Sequence, residues 1–253
     1  MSALAEPAAE AAALEGRVVL VVGAHGGLGE ATSLACAQAG ASLVLLGRRV
    51  PRLSRLHDRL QALGAAPALY PMDLEGASPD DHADLAARIE AAYGRLDGIV
   101  HLAAAFDGLT PLELTDPAAF ARALHVNLTA RWWLTQACLP LLRRSGDAAV
   151  VFAIDDPART GGAYWGGYGL AQAGLSAMVG MLQAELGDAP IRVSGLLPPP
   201  MRTPLRARAH VEAEDRIARA PADVAAHCVA LLAPGGDAHR GALWAPFAPE
   251  GRA

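Results

Sequence analysis

The sequence predicts an α/β fold: a single domain on a doubly wound, mostly parallel, seven-stranded sheet with helices on both faces. Three observations carry this prediction. Short apolar runs rich in valine, isoleucine and leucine alternate with helix-length segments along nearly the whole chain. The connections between them are short, as strand–helix–strand units wound in one sense require. The 253 residues, 53% hydrophobic and 19% charged, suit one α/β domain with a core on each face of its sheet. Residues 1–15 read as an N-terminal extension and 16–253 as the domain.

The elements follow in order. Val18-Val19-Leu20-Val21-Val22 is an apolar run ending at Gly23, the pattern of a parallel strand buried on both faces. A small-residue helix runs from about Gly27 to Ala39 and stops at Gly40. Ser42 to Leu46 is the second strand, and Pro51 opens a helix at a position that tolerates proline. Ala68-Leu69-Tyr70 leads a third strand into Asp73, Asp80 to Tyr93 is helical, and Gly98 to Leu102 is the fourth strand. One long helix is predicted from Pro117 to Arg143, then a strand from Ala148 to Ile154. A helix carrying Tyr168 and Gln172 extends to about Leu186, and strand Ile191 to Leu197 meets a Pro-rich turn. A helix near Ala222 to Leu232 and a strand near Ala242 to Ala245 complete the pattern.

Composition excludes several function classes. Net charge is −5, and no basic cluster interleaves with aromatics, which argues against nucleic-acid binding. No apolar run reaches the roughly 18 residues of a bilayer span, and Met1 to Glu15 lacks the basic and apolar regions of a signal peptide. The expectation is a soluble, cytoplasmic protein without a membrane partner. Cys36, Cys138 and Cys228 are scattered and read as small buried residues. The eight histidines form no metal-ligand spacing, so no metal is expected. All 21 basic residues are arginine, and the chain contains no lysine.

Gly23-Ala24-His25-Gly26-Gly27-Leu28-Gly29 joins the first strand to the first helix. Glycines there permit a tight turn and let a pyrophosphate approach backbone N–H groups at a helix N-terminus. Gly47-Arg48-Arg49 ends the second strand, where an NAD-preferring site places an acid against the ribose 2′-hydroxyl. Arginine there suits a 2′-phosphate, because guanidinium binds phosphate through paired hydrogen bonds. The alternative is a solvated arginine in an arginine-rich chain. Asp73 is read either as an adenine contact or as a loop cap.

Ala163-Tyr164-Trp165-Gly166-Gly167-Tyr168, with the Gly23, Gly27, Gly29 spacing, resembles the short-chain dehydrogenase/reductase family, nearest its bacterial oxoacyl-reductase branch. The resemblance implies a Rossmann fold and interconversion of a carbonyl and an alcohol by hydride transfer. It implies a nicotinamide dinucleotide, with NADP(H) favoured over NAD(H) on the arginines after the second strand, held by Gly23, His25, Gly27, Leu28, Gly29, Arg48, Asp73, Leu74, Ala103 and Thr203. A small-molecule substrate covered by residues 198–220 and a homodimer or homotetramer are also implied. Trp132, Trp133 and Trp165 then belong either to subunit contacts or to the core. The mixed charges of 198–220 (among them Arg202, Arg206, Arg208, Arg216 and Arg219 against Glu212, Glu214 and Asp215) read as a solvated lid or as an anion site.

Four positions carry the family's chemistry. Asn127 matches the asparagine that kinks the long helix, and Tyr168 matches the acid/base. The serine is replaced by Asp155 and the lysine by Gln172. Leu102, Ala104 and Pro199 also depart from the pattern, all at the nicotinamide end. A full charge about 4 Å from a phenol is worth roughly 4 kcal/mol at an effective dielectric near 20, or about three pKa units. Gln172 supplies no such field, and an ionised Asp155 acts in the wrong direction. Two readings stay open. Either a protonated Asp155 donates in place of serine, with Arg159, Arg202 or Arg206 supplying charge, or the chain is a dinucleotide-binding pseudoenzyme.

Overall fold

A computed structural model of the chain describes residues 12–210 and 217–247. Residues 1–11 of the extension, and Glu212, Glu214, Asp215 and Arg216 of the covering segment, lie outside the described residues. Seven strands, β1 (Val18–Val22), β2 (Ser42–Gly47), β3 (Ala68–Pro71), β4 (Gly98–His101), β5 (Ala148–Ala153), β6 (Ile191–Leu196) and β7 (Leu243–Trp244), form one sheet in the order β3-β2-β1-β4-β5-β6-β7. Every pair is parallel. The fold is the expected doubly wound α/β sheet.

Strand geometry alternates side chains between faces, so each buried strand feeds two cores. Leu20 and Val22 of β1 pack in the core with Leu134 and Cys138 of α5 (Ala130–Ser145) and Leu175 and Val179 of α7 (Gly166–Leu186). Val19 and Val21 face the opposite core. There they meet Cys36 of α1 (Gly27–Gln38), Leu53 and Leu56 of α2 (Val50–Ala62) and Cys228 of α9 (Pro221–Leu232), which follows the one-turn α8 (Arg206–Ala209). All three cysteines are buried and unbridged, and burial pushes each thiol up. Helix α3 (Pro79–Tyr93) starts one residue before Asp80, because the Ser78 side chain accepts from Asp81 N in a capping box and Pro79 takes the first turn.

The end of the sheet where β1, β4, β5 and β6 begin is clamped by charge. Asp97 is fully buried; its carboxylate accepts from Val18 N at 2.8 Å, from Arg95 at 2.7 Å and from the Ser145 hydroxyl. Burial alone raises its pKa, but these donors hold it below the ordinary carboxylate range. Asp147 accepts from both Arg17 and Arg192, and burial is likewise outweighed.

The long helix differs from expectation. It is split into α4 (Pro117–Leu124), a π-helical turn (His125–Thr129) and α5. The cause is a tertiary contact: Asn127 Oδ1 accepts from Ala105 N at 3.0 Å, while Nδ2 donates to Ala105 O and Ala123 O at 2.8 Å each. The turn opens the ladder so that one side chain ties the helix to the loop after β4. Strand order reverses between β1 and β4, and such a switch point leaves a crevice at the carboxyl ends of the strands.

Candidate active site

A cleft of about 460 Å³ occupies that crevice. The ends of β1, β2, β4, β5 and β6 contribute to it, together with residues 198–210. Gly23, His25, Gly27, Leu28, Arg48, Asp73, Leu74, Ala103, Asp155, Tyr168, Gln172 and Thr203 all line it. Gly29 and Asn127 do not. Asn127 is fully buried and reaches the site only through the Ala105 backbone.

At one end the chain turns at Gly23, whose φ of +87° and 2.5 Å clearance between an ideal Cβ and Ala103 N exclude other residues. This brings the loops after β1 and β4 together. The His25 ring lies against Gly47, and its buried Nδ1 has no hydrogen-bond partner among the described residues. Burial lowers the His25 pKa, and the charges of Arg49, Arg52 and Arg48 lower it further. Three guanidinium groups therefore act on one corner of the cleft. Arg48 sits 3.6 Å from Asp73, with both side chains half exposed. Thr203 accepts from Arg206 N at 3.2 Å and faces the start of α1 at Gly27.

The other end is built around Tyr168, which is 5% exposed. Phe106 and Trp165 pack on its ring with centroids 5.0 and 5.9 Å away. Trp165 thus belongs to the cleft, whereas Trp133 packs on His82 and His125, and Trp132 is 46% exposed on α5. A short helix, α6 (Pro157–Thr160), follows β5 and lies against α7. Close approach needs Gly169, since an ideal Cβ there would lie 2.1 Å from Thr160 O. This contact sets Asp155 beside Tyr168, and the phenol donates to Asp155 Oδ2 at 3.4 Å.

Asp155 is in an ion pair with Arg159. Its carboxyl group thus meets a guanidinium and the Tyr168 hydroxyl together. Of the three arginines considered as charge donors, Arg159 meets the site's carboxylate, and Arg202 Nη1 donates instead to Ala218 O at 2.7 Å. Gln172 is 1% exposed and holds the same loop, accepting from Asp155 N at 2.8 Å. Its Nε2 is buried and unpartnered among the described residues.

One residue in the cleft escaped the sequence reading. Arg131 of α5 is 1% exposed, and its guanidinium donates to Ala153 O at 3.0 Å and to Ala103 O. Burial draws its pKa down to about 10, still well above neutrality. Its signal was present: Asn127, Arg131, Leu134, Cys138 and Leu141 are spaced as one helical stripe, and the stripe is otherwise core. His101 lies behind it, stacked on Phe152 and bonded to Thr135 at 2.9 Å. Burial and the Arg131 charge hold the His101 imidazole well below its usual range. Burial also raises the Tyr168 pKa, the Asp155 charge and hydrogen bond raise it further, and Arg131 and Arg159 oppose them.

Comparison with known proteins agrees with this architecture. Residues 17–214 match the family model for short chain dehydrogenases. The uncharacterized oxidoreductase YciK of Escherichia coli K12 is 32% identical over 212 residues, spanning 83% of this chain and 84% of that one. A solved structure from Pseudomonas syringae, described as a short chain dehydrogenase, superposes with a TM-score of 0.90 at 36% identity, covering 93% of this chain and 96% of that chain. Another, from Escherichia coli CFT073 in complex with NADPH, gives 0.90 at 30% identity over 94% of this chain and all of that one. With the parallel sheet, the glycine turn and the buried tyrosine in one cleft, these matches make the chain a member of the short chain dehydrogenase family.

Proposed function

We propose that the protein is an NADP(H)-dependent oxidoreductase that reduces a small carbonyl compound to an alcohol. The observation that carries this reading is the continuity of one cleft, from the three-arginine corner at His25 to the Tyr168 hydroxyl. The residues fit such a cofactor. Gly23 and the start of α1 offer backbone N–H groups to a pyrophosphate, and Arg48 with its neighbours suits a 2′-phosphate dianion. Asp73 and Leu74 fit the adenine, Thr203 the carboxamide, and the unpartnered Gln172 Nε2 a ribose hydroxyl. The NADPH carried by the Escherichia coli CFT073 structure supports the same choice.

When bound, NADPH supplies the hydride. Tyr168 gives the proton that turns the incipient alkoxide into an alcohol. Asp155 stands in the serine's place and orients the phenol, while Arg159 balances its charge. Asn127 keeps the Ala103–Ala105 loop in position. Residues 198–210 of the covering segment close over the substrate end, with Pro198, Pro199 and Leu205 at the cleft wall. Pairing of copies through α5 and α7, on which Trp132 and Met181 are exposed, agrees with a homodimer or homotetramer.

A second reading, a binding protein without turnover, is favoured by one observation: the Asp155 carboxylate opposes both the phenolate and an alkoxide beside it. Two measurements separate the readings. Titration should show NADPH bound more tightly than NADH, with Arg48→Ala removing about 10-fold or more of that preference. Failure to bind either nucleotide would contradict both readings. Turnover of NADPH with diketones, lost in Tyr168→Phe, is expected of the reductase alone.

A further inference from the structure

We propose that Arg131 is the positioning cation that position 172 lacks, a guanidinium moved to the neighbouring helix that supports the Tyr168 hydroxyl through the shared cleft. The inference rests on the reductase reading for its purpose, but its evidence is geometric. Arg131 projects from a core stripe of α5 to the cleft, where Tyr168 and Gln172 also open. Its guanidinium meets two main-chain carbonyls, Ala103 O after β4 and Ala153 O at the end of β5. Among the described residues it pairs with no carboxylate, and its Nε has no hydrogen-bond partner. A buried cation without a counter-ion is costly, and perturbed charges of this kind gather at functional clefts.

The charges around Tyr168 give this cation a use. Asp155 faces the phenol from the end of β5, Arg159 from α6 and Arg131 from α5, while Arg208 donates to Phe106 O. Asp155 is paired with Arg159 but also faces the phenol directly. With Arg131 the three side chains carry a formal charge of +1, and Arg131 offsets part of the carboxylate's pull on the phenol. A neutral serine and a lysine would leave the same net charge. Gln172 meanwhile takes a task that a lysine cannot perform, accepting a hydrogen bond from Asp155 N. A permanently charged guanidinium does not relay protons at neutral pH, so Arg131 acts by its field and by fixing the strand ends. The lowering effect of Arg131 on Tyr168 agrees with this placement.

A tie between the ends of β4 and β5 is the competing role, and a titration distinguishes the two. The full chain, without nucleotide, is labelled with ¹³C-tyrosine in the Asp155→Ser background, which removes the opposing anion. The Tyr168 resonance is identified by its loss in Tyr168→Phe. Arg131→Gln keeps a donor for the carbonyls but removes the charge. It should raise the Tyr168 midpoint by about one pH unit or more, and adding Gln172→Lys should bring it back. An unmoved midpoint, or no recovery with Gln172→Lys, overturns the proposal and leaves Arg131 as a strand tie. If Arg131→Gln alone does not fold, the Arg131→Gln/Gln172→Lys protein carries the comparison. A midpoint equal to that of the Arg131 protein supports the inference, and one about a unit higher refutes it. Because nucleotide and substrate are absent, a shifted midpoint in a protein without turnover would sink only the reductase reading.

Discussion

Tyr168 is buried beside the tilted rings of Phe106 and Trp165 and hydrogen-bonded to an anion, and both the burial and the anion favour the neutral phenol. In the proposed reaction, reduction uses the phenol as an acid and oxidation uses the phenolate as a base, so the protonated form serves reduction. Because the folded pKa lies above the ordinary tyrosine value, the base form is scarce at neutral pH and grows as pH rises. Alcohol oxidation should therefore climb with pH without a plateau below about 10. Asp155→Ser removes the opposing charge, lowers the Tyr168 pKa and should raise kcat/KM for oxidation at pH 8 by about 10-fold or more. A pH–rate profile of both proteins checks this, and an unchanged profile would mean that the carboxylate is not felt at the phenol. The tyrosine, Asp155 and Gln172 were legible as residues. Arg159, four residues after Asp155, was legible with them, whereas Arg131 showed only as a charge in the otherwise core stripe of α5, with nothing local to tie it to Tyr168.

The elements were legible wherever local chemistry decides them. Strand β1 begins and ends where the β-branched run does, and α3 departs by one residue only because Ser78 and Pro79 cap it. The interruption at His125–Thr129 was legible only through the resemblance that puts a kink at Asn127, because the propensities of the segment are helical throughout. It depends on a side chain meeting Ala105, a contact 22 residues away in sequence. Asn127→Asp keeps the size of the side chain but loses the donations to Ala105 O and Ala123 O. The expected cost is about 2–3 kcal/mol, together with weaker nucleotide binding as the Ala103–Ala105 loop loosens. Urea unfolding and NADPH titration of the variant measure both. Full stability with intact binding would show that the π-helical turn does not need its tie.

Across the whole molecule, the two ends of the sheet do different work. The carboxyl ends of the strands hold the cleft, and the amino ends are fastened by Asp97 and Asp147 with their arginines. Both carboxylates have folded pKa values below the unfolded ones. Their stabilisation is therefore complete above the unfolded value and is lost as pH falls through the folded one. Stability should be flat from about pH 6 upward on this account and should fall below about pH 4. Asp97→Asn should cost about 2–3 kcal/mol near neutrality and flatten the acid limb, as thermal unfolding against pH will register. The overall architecture was readable from alternating strands and helices; this clamp was not, since its partners lie up to 130 residues apart. The central claim is that the cleft unites an NADPH site with a proton-donating tyrosine. The most direct measurement is the rate of NADPH oxidation by the wild-type protein and Tyr168→Phe over a panel of small diketones and aldehydes, both proteins first shown to bind NADPH equally. Turnover by the wild type that falls at least about 100-fold in Tyr168→Phe is the predicted result. NADPH binding without turnover in either protein, or equal turnover in both, would contradict it.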